Sequence, residues 1–135
     1  MSTIAQICHI GLGVLIFILG LWTFFNPELL NYYSIRIDSP DARIAARAII
    51  GGGEIGLGMT LIFGTLLGIP HRALNIIAAV VFLSVGMGRL IAVLLEDGAF
   101  LGWQPYREGL IELFLGLIAV VAATRSKNPC ANIST

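Results

Sequence analysis

The sequence predicts an all-α, polytopic membrane protein built as a four-transmembrane-helix bundle. Three observations predict it. Apolar residues make up 57% of the 135 and charged residues only 12%, about half the usual charged share of a soluble domain. Mean hydropathy is +0.91. The apolar residues also fall into four long runs separated by Pro, Gly and polar turns. A soluble domain this small has too much surface to hide that much apolar side chain. A soluble enzyme and a disordered chain are therefore excluded. Net charge is zero, with eight basic and eight acidic residues, so no basic stripe exists for nucleic acid.

The first run, Ile4 to Phe25, carries no Lys or Arg before or within it. No small-x-small cleavage site follows, so it reads as a retained helix over 4–25 and not as a cleaved signal. The second run, Ile44 to Leu67, contains Arg47 and Glu54. Ser39-Pro40-Asp41 supplies an N-cap, an N1 proline and a first-turn acid, which starts this helix at 40. Gly68 is placed to cap its end. The third run, Ala73 to Leu95, contains Arg89. Pro70 opens it and Gly98 follows it, giving a helix over 70–96. The fourth run, Leu110 to Thr124, is short alone. Pro105 extends it to 105–124, about 20 residues, enough to span at about 1.5 Å per residue.

A polar tail, 125–135, completes a single membrane domain. Strands are excluded because backbone groups in lipid must pair within the segment or in a closed barrel. The connection 26–43 begins with Asn26-Pro27-Glu28 and continues through Leu29, Leu30, Tyr32, Tyr33 and Ile35. It reads either as a short interfacial helix or as an ordinary loop.

Four spans put both termini on one side, with Arg72, Arg125 and Lys127 and no acid. The other side holds Arg36, Arg43 and Arg107 with Glu28, Asp38, Asp41, Glu96, Asp97 and Glu108. The basic counts tie at three each. The free amino terminus and the absence of acids favour cytoplasmic termini. Trp22, Phe24, Phe25, Tyr32, Tyr33, Phe100, Trp103 and Tyr106 form an aromatic belt on the opposite side.

Arg47, Glu54, Arg89 and Glu112 fall within the expected spans. Each such charge costs at least ~2.5–3.5 kcal/mol at the bilayer centre, so each needs a partner or water. On the expected topology all four lie in one leaflet, with Arg89 roughly 10 Å deep. Glu108 and Glu112, four apart, share a face. Arg89 is the natural bridge, because a planar guanidinium can hold two carboxylates. Arg47, Glu54, Arg89, Glu108 and Glu112 are therefore the candidate ligand-binding residues. Three readings stand. The cluster is a structural ion-pair lock; or it is a pocket for a head group, a quinone or a relayed proton; or its members snorkel to the interface.

Taken every fourth residue, the second helix reads Ala48, Gly52, Gly56, Thr60, Gly64 and Gly68. Such a row lets another helix approach closely. Gly13, Gly20, Gly86, Gly88 and Gly116 offer matching surfaces. The row serves either packing within the chain or association with a partner. It is no phosphate loop, lacking the Lys-Ser/Thr ending.

Cys8 reads as a small apolar residue and Cys130 as a free thiol in the tail. Asn132-Ile133-Ser134 matches a glycosylation sequon, a pattern common by chance. His9 and His71 read as an interfacial and a loop residue, with axial haem ligation as the rival. No metal site is expected, and no cofactor beyond a possible lipid or quinone. No Ser-His-Asp or Cys-His arrangement can be placed, which leans away from an enzyme.

Arg47 before Gly51 to Gly58, Gly88-Arg89, Asp97-Gly98 and Glu112 together resemble the small four-helix membrane proteins of domain-of-unknown-function family 4345. The resemblance covers roughly residues 5–125. It implies a bacterial inner membrane, a four-helix bundle and kinship with DoxX-like membrane proteins, and it carries no established reaction. The expected role is a non-enzymatic accessory or scaffold subunit in the bilayer, packed against a larger membrane complex or a second copy. The alternative is a lipid- or quinone-binding module using the Arg/Glu cluster.

Overall fold

The computed structural model describes residues 3–33, 36–95 and 103–126. Asp97-Gly98, Phe100, Cys130 and the sequon lie outside the described residues. Every regular element among those described is helical. The chain divides into two compact units, Ile10–Gly68, and Met1–His9 with Ile69–Thr135.

Helix α1 runs Thr3–Phe25. A 3-10 helix follows at Pro27–Tyr33, which decides between helix and loop there. Its Leu30 is buried with Ile37 and Ala46, against Ala42 and Ile50. Helix α2 is Pro40–Ala45, and the Ser39 hydroxyl accepts from the Ala42 amide at 3.1 Å. A π turn, Ala46–Gly51, leads into α3, Gly52–Phe63, and a closing 3-10 turn, Gly64–Leu67. Gly68 ends the run with φ +82°, a conformation that side-chain-bearing residues avoid. Pro70 precedes α4, His71–Leu95, and its carbonyl accepts from the Ala73 and Leu74 amides. Helix α5 is Gln104–Arg125.

The π turn includes Arg47 and ends three residues before Glu54. In a regular helix the spacing of seven would set Arg47 and Glu54 on one face; the wider π turn rotates that register. Arg47 is exposed and Glu54 half-buried.

Three helical stretches are long and apolar enough to cross a membrane: Thr3–Phe25, Pro40–Leu67 and His71–Leu95. Helix α5, at 22 residues, has the length. Arg107, Glu108, Glu112 and Arg125 break its apolar run.

In the unit Ile10–Gly68, α1 and α3 meet backbone to backbone. A Cβ added at Gly58 would lie 2.7 Å from the Phe17 backbone nitrogen and 2.8 Å from the Gly13 carbonyl oxygen. One at Gly20 would lie 2.7 Å from the Ile55 nitrogen and 2.9 Å from the Gly51 oxygen. The close approach thus uses Gly51 and Gly58. Of the row Ala48, Gly52, Gly56, Thr60, Gly64 expected to pack, Gly52 and Gly56 make no such approach to α1. Gly64 is buried, but Ala48 and Gly56 are exposed. Nothing described lies within 4 Å of a Cβ at Gly56. In the other unit, Gly86 on α4 approaches the Gly109 carbonyl of α5, and Gly116 on α5 approaches Leu83 of α4.

Candidate functional site

Arg89 sits late on α4, one turn beyond the Gly86 contact. Glu108 and Glu112 sit one turn apart near the start of α5. The Gly86·Gly109 approach holds the two helices close enough for one guanidinium to reach both acids. Arg89 Nη2 donates to Glu112 Oε1 at 2.8 Å and Arg89 Nε to Glu112 Oε2 at 3.1 Å. This is a two-bond fork on one carboxylate, the strongest geometry for such a pair. Arg89 Nη1 lies 3.2 Å from Glu108 Oε2. That contact is an ion pair without hydrogen-bond geometry, and the same oxygen is buried without a hydrogen bond. The side chains are 26%, 17% and 18% exposed for Arg89, Glu108 and Glu112, so solvent screening is reduced but not absent. Arg107 approaches Glu108 Oε1 only at 3.9 Å and is itself half-exposed. The bridging role expected of Arg89 is thus what its geometry provides.

The other two candidates belong to the unit Ile10–Gly68. Glu54 is half-buried on α3 and lies against Gly20 of α1. Its Oε2 is buried without a hydrogen bond. Arg47 lies exposed on the π turn. Near the surface, Arg43 and Glu28 stand 3.8 Å apart, both about half-exposed.

A second polar cluster was not foreseen. His71 is the first residue of α4, not a loop residue, and His9 is fully buried. His9 Nε2 and His71 Nδ1 are 2.8 Å apart and hydrogen-bonded. Their rings stack at 5.1 Å between centroids. The two rings are thus joined directly by a hydrogen bond. The Asn75 amide nitrogen donates to the Ala5 and His71 carbonyls, both at 2.8 Å. The available signal was the i, i+4 spacing of His71 and Asn75 at the head of an otherwise apolar helix. Among the described residues, no three His, Cys, Asp or Glu converge as for a metal ion.

These observations define a helical protein with membrane-compatible helices and polar side chains paired between helices. The chain belongs to the family described as a domain of unknown function (DUF4345), whose model matches residues 4–125. Neither the curated proteins nor the solved structures yield a match.

Proposed function

We propose that the chain is a four-span inner-membrane protein of bacterial type. Its termini face the cytoplasm, and it is a non-enzymatic accessory or scaffold subunit that packs against other membrane helices. The fourth span is α5. Its Glu108 and Glu112 enter with a counter-ion already in place, since Arg89 answers both, and beyond them the helix is apolar to Thr124. A paired charge costs far less to bury than a lone one.

One observation carries the packing role. Gly52 and Gly56 of α3 are not taken up by the contact with α1. Gly51 and Gly58 serve that contact, while Gly56 lies open. In lipid, an open small-residue face is where a second helix gains close van der Waals contact. The lipid- or quinone-binding alternative is less well supported. Arg89, its natural anion-binding group, is already committed to Glu112 and Glu108.

The test is site-specific photo-crosslinking in the native membrane, with the probe at exposed Met59 beside the row. A discrete protein adduct, lost in Gly56→Leu while the purified variant melts as before, is the expected result. Lipid adducts alone, unchanged by Gly56→Leu, would refute the packing role.

A further inference from the structure

Arg47 has no place in the helix-packing role and none in the Arg89 trio. It is exposed on the π turn. Among the described residues no acid stands within ion-pair distance of it. A guanidinium in an apolar span is costly without an anion or water to answer it.

The depth of Arg47 follows from the contact between α1 and α3. The two helices run antiparallel, since Gly58 meets Gly13 and Phe17 while Gly51 meets Phe24. Arg47, one turn before Gly51, therefore lies level with the chain just beyond Phe25, where α1 ends. Its neighbour Ala46 packs with Leu30 of the Pro27–Tyr33 helix, which agrees with that level. Helix α1 has 23 residues, about 34 Å at 1.5 Å per residue, against a hydrocarbon core about 30 Å thick. The end of α1 thus marks the edge of that core, and Arg47 stands at the level of the lipid headgroups. Trp22, Phe25 and Tyr32 are exposed at the same end, and aromatic residues favour that level. Ile44 and Ile49 are exposed to either side of Arg47, so this face meets lipid.

The charges around Arg47 say which anion fits. Arg43 is one turn earlier and also exposed. Residues four apart share a face, and like charges so placed repel. Glu28 stands 3.8 Å from Arg43. Asp41 is two residues from Arg43 and six from Arg47, which turns it to the opposite side of the helix. Asp38 lies before the helix and pairs with neither arginine. Two guanidiniums and one carboxylate leave one positive charge unanswered. A phosphodiester at headgroup depth supplies one negative charge and two free oxygens, a geometry that planar guanidiniums fork onto.

We propose that Arg47, with Arg43 beside it, binds the phosphate of an anionic lipid headgroup. The Arg47 stem lies along the apolar helix surface and carries the guanidinium outward to the phosphate. The shared anion turns the repulsion between the two arginines into attraction. The site rests on reading Thr3–Phe25 and Pro40–Leu67 as spans, and it uses none of Arg89, Glu108 and Glu112.

The test uses the full chain in vesicles of equal phosphatidylglycerol and phosphatidylcholine, followed by native mass spectrometry of the extracted protein. Preferential retention of phosphatidylglycerol is expected. Arg47→Gln should weaken that retention about tenfold. Arg43→Gln should weaken it less, because Glu28 already answers part of that charge. Arg125→Gln removes the same charge from an exposed position on the last turn of α5 and should change nothing. In the same vesicles, with 15N-arginine, solid-state NMR should show guanidinium nitrogens close to lipid phosphorus, and Arg47→Gln should lose that signal. Equal retention of the two lipids by the unmodified chain overturns the site. Undiminished retention by Arg47→Gln also overturns it, and leaves a partner protein's carboxylate as the counter-ion of Arg47. Release of the chain from the vesicles by alkaline carbonate would instead refute the spans, and the site with them.

Discussion

The contact between α1 and α3 and the contact between α4 and α5 solve one problem in two ways. Each brings two helices together at glycines, Gly13 and Gly20 against Gly58 and Gly51 in one, Gly86 against Gly109 in the other. Each also buries carboxylate. Beside α1, Glu54 is half-buried with its Oε2 lacking a hydrogen bond. Between α4 and α5, two acids are met by a guanidinium. The first contact therefore depends mainly on shape, and the second on charge as well. Substitutions that remove charge should hurt the second, and substitutions that add volume should hurt the first.

The largest effect is expected from Arg89→Ala. It leaves Glu108 and Glu112 without their counter-ion, and breaking a buried pair this way costs about 3–5 kcal/mol. The partial exposure of the trio places the expected loss at the low end of that range. Thermal unfolding of the purified protein in detergent should show a marked drop in Tm. Most of the cost belongs to the stranded acids, so Arg89→Ala combined with Glu108→Gln and Glu112→Gln should recover much of it. A triple variant no more stable than Arg89→Ala would show that the clamp matters for its packing and not its charge.

Next comes Gly58→Ala, which sharpens the other half of the comparison. The new methyl would meet backbone atoms of α1, which cannot turn aside as a flexible side chain can. Overpacking of this kind costs about 1–3 kcal/mol. Gly56→Ala, two residues away, meets nothing and should leave the melting temperature unchanged or slightly raised, since Ala favours helix over Gly. Equal losses from the two variants would mean that the α1–α3 approach does not rest on Gly58.

The difference between these regions also explains how much was legible in the sequence. Helix limits could be read because they are set by local chemistry: Ser39-Pro40-Asp41 at one start, Gly68 at one end, Pro105 in the first turn of α5. The Arg89 bridge could be read because a charge in an apolar run must find a partner. The π turn could not be read. Nothing in Ala46 to Gly51 distinguishes it from ordinary helix. Which face of α3 meets α1 is set by tertiary packing, and it is the one with Gly51 and Gly58, not Gly52 and Gly56. The histidine pair was equally hidden. Neutral polar groups leave no charge imbalance in the sequence, and residues 62 positions apart are joined only by tertiary structure.

The smallest effects lie where neither shape nor buried charge is at stake, at the entry to α2. Ser39→Ala removes the hydroxyl that caps the Ala42 amide and should cost about 1 kcal/mol. Arg43, one turn further on, pairs with Glu28 at 3.8 Å with both side chains about half in solvent. Such a pair is worth little, because water screens it and ordering two long side chains costs entropy. Arg43→Gln should therefore shift stability by less than about 0.5 kcal/mol. Measured on one unfolding curve, the order Ser39→Ala above Arg43→Gln separates two kinds of polar contact at the same helix end. The capping hydroxyl satisfies a backbone amide that has no partner within the helix, whereas each member of the ion pair keeps water as an alternative partner. A loss at Arg43→Gln equal to that at Ser39→Ala would place this segment in a medium drier than its exposure implies, deeper in the interface than a connection between two spans would sit.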